Sequence, residues 1–476
     1  MKADHYLTVA LVLVATGCAS TTPIVAAGEQ NEATAFTHVN VVPMNGEEVH
    51  LDQTVIVSGD RIVQWGPAAS LALPDGATVI DGKGKYLLPG LSDMHAHIAP
   101  NENDLALFIA NGVTFVRNMS GEPLHLNFQR RIASGDLLGP TIHTTGPIID
   151  GESPLFPGSA IVASAEDAER QVDAQRNAGY AAIKVYAGLQ PKAYEAILLA
   201  ANNRGLPVYG HVPWRVGLRN ALRQGQRSFE HLIDFLYELI PDDSPARAKV
   251  IAANDRRDAN AMHVGLWAAV TTEGMDELAA EAAAAGAWFC PTLVVMDRIA
   301  SNDAEFNTHS EDPAVALIHP MLRQSWEARI ASFSPEAVEA RRRGLPTVGQ
   351  AVSALHRAGV HILVGTDTPN PYVLPGFSVH DELRLLVEAG LSPYEALKAA
   401  TADAAAFVGL EKEWGTIAAG LRADLLMVDG NPLENIRSTS DISGVMVRGK
   451  WYSSADLRAR LRSISEEYRD LNSQAP

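Results

Sequence analysis

The 476-residue chain holds only two cysteines, Cys18 and Cys290. A disulfide framework and a structural four-cysteine zinc site are therefore excluded. Positive charge is also short. Lysine and arginine number 38 against 56 aspartates and glutamates, a net charge of −18. A phosphate backbone is a poor partner for such a chain, and nucleic acid is not expected. The G-x-S-x-G elbow of serine hydrolases is missing. No internal repeat or low-complexity linker interrupts the chain. The N-terminal apolar run, from Leu7 to about Ala15, is too short for a permanent bilayer span. What remains is 47% hydrophobic and 20% charged, the composition of a folded globular protein.

The N-terminal run has the length of a secretory h-region, so residues 1–27 are set aside as an export leader. Ala15-Thr16-Gly17-Cys18 resembles a bacterial lipoprotein signal, in which the cysteine carries the lipid. Plain cleavage after Val25-Ala26-Ala27 is the competing reading. Either places the mature protein in the periplasm or anchored to the outer membrane, with the lipid as its one membrane contact. Cys290, in WFCPTL, reads as an inert buried thiol.

Residues 36–88 carry strand signals, including a hairpin pattern around Ser58-Gly59-Asp60. A second strand-rich patch covers 423–430 and 442–452. Between them, eight short apolar runs alternate with helical stretches: 87–97, 112–118, 140–146, 181–187, 206–212, 228–233, 287–293 and 361–367. Eight such units predict an α/β fold, a TIM (β/α)8 barrel with a parallel sheet. The expected division is a barrel over 89–415, inserted in a small β-sandwich made by 28–88 and 416–452, with a surface helix over 453–476. Two long helical connections, 234–286 and 294–360, follow the sixth and seventh strands. At that end of a barrel they would form a lid or substrate wall rather than plain scaffold.

In a strand, residues i and i+2 face the same way, so His95 and His97 share one side at the end of the first run. With 15 histidines in the chain an H-x-H pair alone is weak; its position gives it weight. Lys184 lies in the fourth run, His211 ends the fifth, His231 lies in the sixth and Asp367 ends the eighth. All would converge on the barrel mouth. Four imidazoles and a carboxylate suit a zinc-like divalent metal. A neutral Lys184 could take up carbon dioxide to give an anionic carbamate able to bridge two metals.

GLSDMHAH (90–97), IKVY (183–186), GHVP (210–213), EHL (230–232) and GTD (365–367) resemble the amidohydrolase superfamily, the urease-like metal-dependent hydrolases. VHDEL (379–383) is similar to the helix after their eighth strand, and 401–433 to their return from barrel to β-sandwich. The nearest groups are the imidazolonepropionase-like and prolidase-like members. The resemblance implies that His95, His97 and Asp367 bind one divalent metal, with zinc the expected ion, and that His211 and His231 bind a second. Carboxylated Lys184 and a hydroxide would bridge them, with Asp367 as the catalytic proton shuttle. Lys184 together with both His211 and His231 argues for two metals.

For substrate contacts the candidates are Tyr186, Arg117, His143 and His380, with Trp214 as a stacking wall. Arg117 has a structural ion pair as its alternative. The expected reaction is cleavage of a C–N amide bond in a small molecule, of dipeptide or N-acyl amino acid type. Cyclic amides, lactones or esters are the alternative within enzymes; a metal-binding surface lipoprotein without turnover is the alternative outside them. A homo-oligomer stays open.

Overall fold

The structure is a computed structural model and describes residues 33–301 and 303–474. The leader and Cys18 lie outside the described residues. Both chain termini feed one eight-stranded sheet. The N-terminal part supplies Thr34–Val41, His50–Ser58, Arg61–Pro67, Thr78–Asp81 and Tyr86–Pro89; the C-terminal part supplies Leu425–Val428, Ile442–Val447 and Lys450–Ser453. Tyr86–Pro89 is the joint. It runs parallel to Thr34–Val41 and antiparallel to Leu425–Val428, pairing Leu425 with Pro89 and Met427 with Leu87. Strand alternation divides the side chains between two cores. Leu87, Leu425 and Met427 join Phe36, Val55 and Met446 in a core of the sheet's own. Leu88, Leu426 and Val428 face the other way and merge with the main core. The two halves expected to form a sandwich thus share one hydrogen-bonded sheet.

Each of the eight apolar runs contains a parallel strand: β1 (Leu91–Ala96), β2 (Val113–Asn118), β3 (Thr141–Thr144), β4 (Ile183–Val185), β5 (Val208–Gly210), β6 (Ser228–Glu230), β7 (Trp288–Cys290) and β8 (His361–Ile362). The first run also contains Tyr86–Pro89, which belongs to the other sheet. Strands β1–β3 form one ladder and β4–β8 another, the latter extended by Ile149–Asp150 and Ala160–Ile161. Single bridges span both gaps: Thr145 with Ala182, and Ala96 with Thr368. Backbone hydrogen bonds support them, Ala181 N to Thr144 O at 2.9 Å and Met94 N to Val364 O at 2.7 Å. Helices make the crossovers. Gly179, at φ 95°, closes the helix Ala165–Ala178 in the left-handed conformation that a residue with a Cβ adopts at a cost.

Both long connections are helical. The first includes Pro245–Asp255 and Ala259–Ala269; the second includes Pro320–Ala331 and the 23-residue Pro335–Arg357. Ala259–Ala269 and Pro335–Arg357 pack closely because Gly344 has no side chain: a Cβ there would sit 2.3 Å from the Trp267 ring. The C-terminal helix Ser454–Gln474 is more than a surface tail. Ile464 and Tyr468 are buried against Leu107, Trp326 and Tyr372. The Tyr468 hydroxyl accepts from Asn101 Nδ2 at 2.6 Å. Among the described residues no helix is long and apolar enough to cross a membrane.

Candidate metal centre

The polar groups singled out in the sequence sit where the strands end. His95 is the last residue but one of β1 and is fully buried; His97 lies just beyond the strand. The chain leaves β8 after Ile362, and Asp367 then adopts φ 59°, with His231 at φ 67° after β6 and Thr292 at φ 51° after β7. Three non-glycine residues in the left-handed region, all beside one cluster, mark a locally strained site held by its surroundings.

Asp367 is the hub. Its Oδ1 lies 3.2 Å from His97 Nε2 and 3.5 Å from His95 Nε2, and its Oδ2 lies 3.9 Å from His231 Nδ1. His95, His231 and Asp367 offer ligand atoms within 4.8 Å of one another. The His95 and His231 rings are 4.5 Å apart, those of His231 and His211 4.8 Å. Lys184 is buried at the head of the same cavity, a space of about 560 Å³ that His97, His211, His231 and Asp367 also line.

Electrostatics suit ligands. Burial, then the Lys184 and His231 charges, hold His95 well below the ordinary imidazole range; burial and Lys184 do the same for His211. Neutral imidazoles are the form that binds metal. Burial pulls Lys184 down to about 8. Burial alone would raise the Asp367 carboxyl, but the facing His231, His97 and His95 outweigh it and keep the group ionised.

The donor set fits a divalent metal. Nδ1 of His95 contacts Glu230 Oε2 at 2.7 Å, while its buried Nε2 has no hydrogen-bond partner among the described residues. An orphaned buried nitrogen beside Asp367 is what a metal ligand looks like without its ion. His95, Glu230 and Cys290 form a second compact trio. It is a poor one: Arg117 and Ser228 occupy Glu230, and burial pushes the Cys290 thiol up, away from the thiolate a metal needs.

Of the expected substrate contacts, Tyr186 and Trp214 line the cavity, with the Tyr186 ring 4.3 Å from that of His211. The other three do not line it. Arg117 is fully buried and forms an ion pair with Glu230 at 2.9 Å, so its charge is already spent. His143 packs beside Phe115 and Tyr209 with its Nε2 buried. His380 contacts Thr439 Oγ1 through Nδ1 at 2.9 Å, its other nitrogen enclosed. Supporting residues went unseen in the sequence. Asp93 accepts from Thr366 Oγ1 at 2.6 Å and from the His95 and Thr366 amides. Thr292 meets His231 Nδ1 at 2.7 Å, and Asn370 Nδ2 donates to Asp367 Oδ2 at 2.7 Å. Glu230 had a signal: polar Ser228 and Glu230 alternate in an otherwise apolar strand, so both face the interior.

The long connections line the cavity, through Asn254, Met262 and His263 from the first and Val295, Met296 and Arg329 from the second. They form part of the cavity wall.

Comparison with known proteins agrees with this geometry. Residues 86–452 match the model of the amidohydrolase family. The chain is 22% identical to an ochratoxinase of Aspergillus niger, over 87% of this chain and 85% of that one. It is 27% identical to an imidazolonepropionase of Sphingopyxis alaskensis, over 84% and 92%. The solved structure of a bottromycin amidohydrolase superposes with a TM-score of 0.72 at 30% identity, covering 91% of this chain and 90% of that one. This likeness gives the fold as a TIM barrel with an additional β domain. The strand-end cluster of imidazoles and a carboxylate, and the family match over the barrel that carries it, lead to one conclusion: the chain belongs to the amidohydrolase family and is a metal-dependent hydrolase.

Proposed function

We propose that the protein cleaves the C–N amide bond of a small molecule of dipeptide or N-acyl amino acid type, using two divalent metals, zinc by ligand chemistry. The observation that carries this is the buried, unpartnered Nε2 of His95 beside the ionised Asp367. His95, His97 and Asp367 would hold one metal, His211 and His231 the second, and Lys184, carboxylated at Nζ, both. A bound divalent ion supplies Lewis acidity to the scissile carbonyl and makes water a nucleophile near neutral pH.

The protein's own groups supply the rest. Burial brings Lys184 within reach of its neutral amine, the form that adds to carbon dioxide and releases a proton. Asp367, ionised in its ring of imidazoles, accepts the proton of the attacking water through a carboxylate oxygen and returns it to the departing nitrogen. Asn370 Nδ2 holds Oδ2 and fixes the orientation of that carboxylate. The relatives' names support amide chemistry: one is an ochratoxinase, one an imidazolonepropionase and one a bottromycin amidohydrolase.

The test is a panel of dipeptides and N-acyl amino acids offered to zinc-loaded protein and to Asp367→Asn. The substitution should lower kcat by about 10²–10⁴-fold, the usual worth of a positioned acid–base group. Turnover that survives it intact removes Asp367 from proton transfer. Metal content should approach two ions per chain, and a value near one overturns the binuclear reading. We also propose export, with lipidation at Cys18. The mass of the chain recovered from a bacterial envelope decides this, since a product still starting at Met1 sinks it.

A further inference from the structure

The cavity has an uneven charge distribution. At its metal end are His97, Lys184, His211, His231 and Asp367; its outer wall comes from the two long connections. The two other lining carboxylates are engaged. Asp150 accepts from the Gly151, Leu155 and Gly188 amides, and Asp258 caps a helix through the Ala261 amide. The two lining guanidiniums differ in this respect. Arg257 donates to the Ser153 carbonyl and ties the loop over the cavity to the wall. Arg329, on the helix Pro320–Ala331, lines the same space, and among the described residues no carboxylate pairs with it.

Behind this wall lies a second uncompensated charge. Arg341, on Pro335–Arg357, is 1% exposed, and its Nε and Nη1 have no hydrogen-bond partner among the described residues. The Phe333 ring lies 4.3 Å from the guanidinium. Nearby, the buried Nδ1 of His263 and Nε1 of Trp267 also lack partners. The charges communicate: Arg329 acts on Arg341 and on the Tyr186 phenol, whose ring lies tilted against that of His211, and Arg341 acts on His263. A buried guanidinium without a counter-ion is costly and leaves an attractive field for an anion. In a chain of net charge −18, the buried Arg341 behind the wall and the exposed Arg329 at its surface, free of a carboxylate among the described residues, form a local positive exception.

We propose that this wall is an anion subsite, in which Arg329 binds a carboxylate of the substrate directly and Arg341 strengthens the field from behind. The substrate is then an amide that carries a free carboxylate on the part lying towards the long connections. Its other part meets the apolar face made by Phe156, Trp214 and Met262. A bidentate guanidinium–carboxylate pair gives the geometric selectivity that a point charge lacks. The inference rests on the amide-cleaving reading for its substrate class, and on the cavity alone for its anion.

The test compares N-benzoyl-phenylalanine with its carboxamide, following benzoate release by zinc-loaded wild type and Arg329→Met. The wild type should prefer the acid, and the variant should lose about 10–100-fold of that preference, chiefly through KM for the acid. Arg329→Glu should turn the preference towards the carboxamide. An acid-to-carboxamide ratio that does not change in either variant overturns the subsite. If wild type releases no benzoate from either compound, the amide-cleaving reading fails for this substrate class. Calorimetric titration of the same two compounds into Asp367→Asn, with and without Arg329→Met, then decides the subsite separately. A preference for the acid that Arg329→Met abolishes upholds it, and equal binding overturns it.

Discussion

His95 has two ring nitrogens in opposite surroundings. Nδ1 meets Glu230, itself clamped by Arg117 and Ser228, and Nε2 is left free towards Asp367. A proton held on Nδ1 leaves the lone pair of Nε2 for a metal. Glu230→Gln must satisfy His95, Ser228 and Arg117 with one acceptor oxygen. It should weaken metal retention by about 10–100-fold, read as metal content after dialysis against graded chelator. An unchanged chelator midpoint beside a lowered Tm would reduce Glu230 to a structural role. The six proposed ligands were legible because each stands near the end of an apolar run and the H-x-H spacing fixes a common face. Arg117 makes the structural ion pair that stood as its alternative to a substrate contact; its position at the end of β2 is visible in sequence, whereas its partner lies 113 residues further on. His143 fails for a similar reason, since nothing in PTIHTTG reveals Phe115 and Tyr209 beside it.

Among the elements, the short helix Leu293–Ile299 governs how one side of the cavity is held. Thr292 precedes it and contacts His231, and Val295 and Met296 on it line the cavity. Its first two amides donate to Glu382, Leu293 N at 2.9 Å and Val294 N at 2.7 Å. Glu382 is fully buried, and burial raises its carboxyl to about 8 despite those two bonds. The native state therefore keeps a proton that the unfolded chain gives up near 4.5. Between roughly pH 5 and 8 this group's contribution to stability falls as pH rises, by about 1.4 kcal/mol per unit. Urea unfolding at several pH values should show a shallower decline for Glu382→Gln than for wild type. The slope is the readout, because the amide also costs an acceptor. The eight runs located the strands but overran them: β8 is two residues long, within a predicted run of seven. The excess is functional backbone. Chain that has left the ladder can take the positive φ that aims Asp367, His231 and Thr292, which a strand cannot.

Taken whole, the molecule is fastened by its C-terminus. The helix Ser454–Gln474 buries Ile464 and Tyr468 against both the first barrel helix, Glu102–Ala110, and the second long connection. Ile464→Ala should cost about 2–5 kcal/mol, the range for a buried aliphatic truncation, seen as a lower urea midpoint. A loss within error would return the helix to the surface role read from sequence. The eight strands, the pairing of the two chain ends in one sheet and the gathering of the imidazoles with Asp367 were readable from periodicity and strand ends. The docking of this helix was not, because an apolar stripe at 457, 461, 464 and 468 states that a partner exists without naming it. One consequence concerns synthesis. Tyr86–Pro89 takes its neighbour on one side from the start of the chain and on the other from Leu425–Val428. While the ribosome is still making the barrel, that edge has open hydrogen-bonding groups and no partner in existence. The nascent chain must shield a sticky strand for most of its own translation, and chaperone dependence should track the time between those two segments emerging.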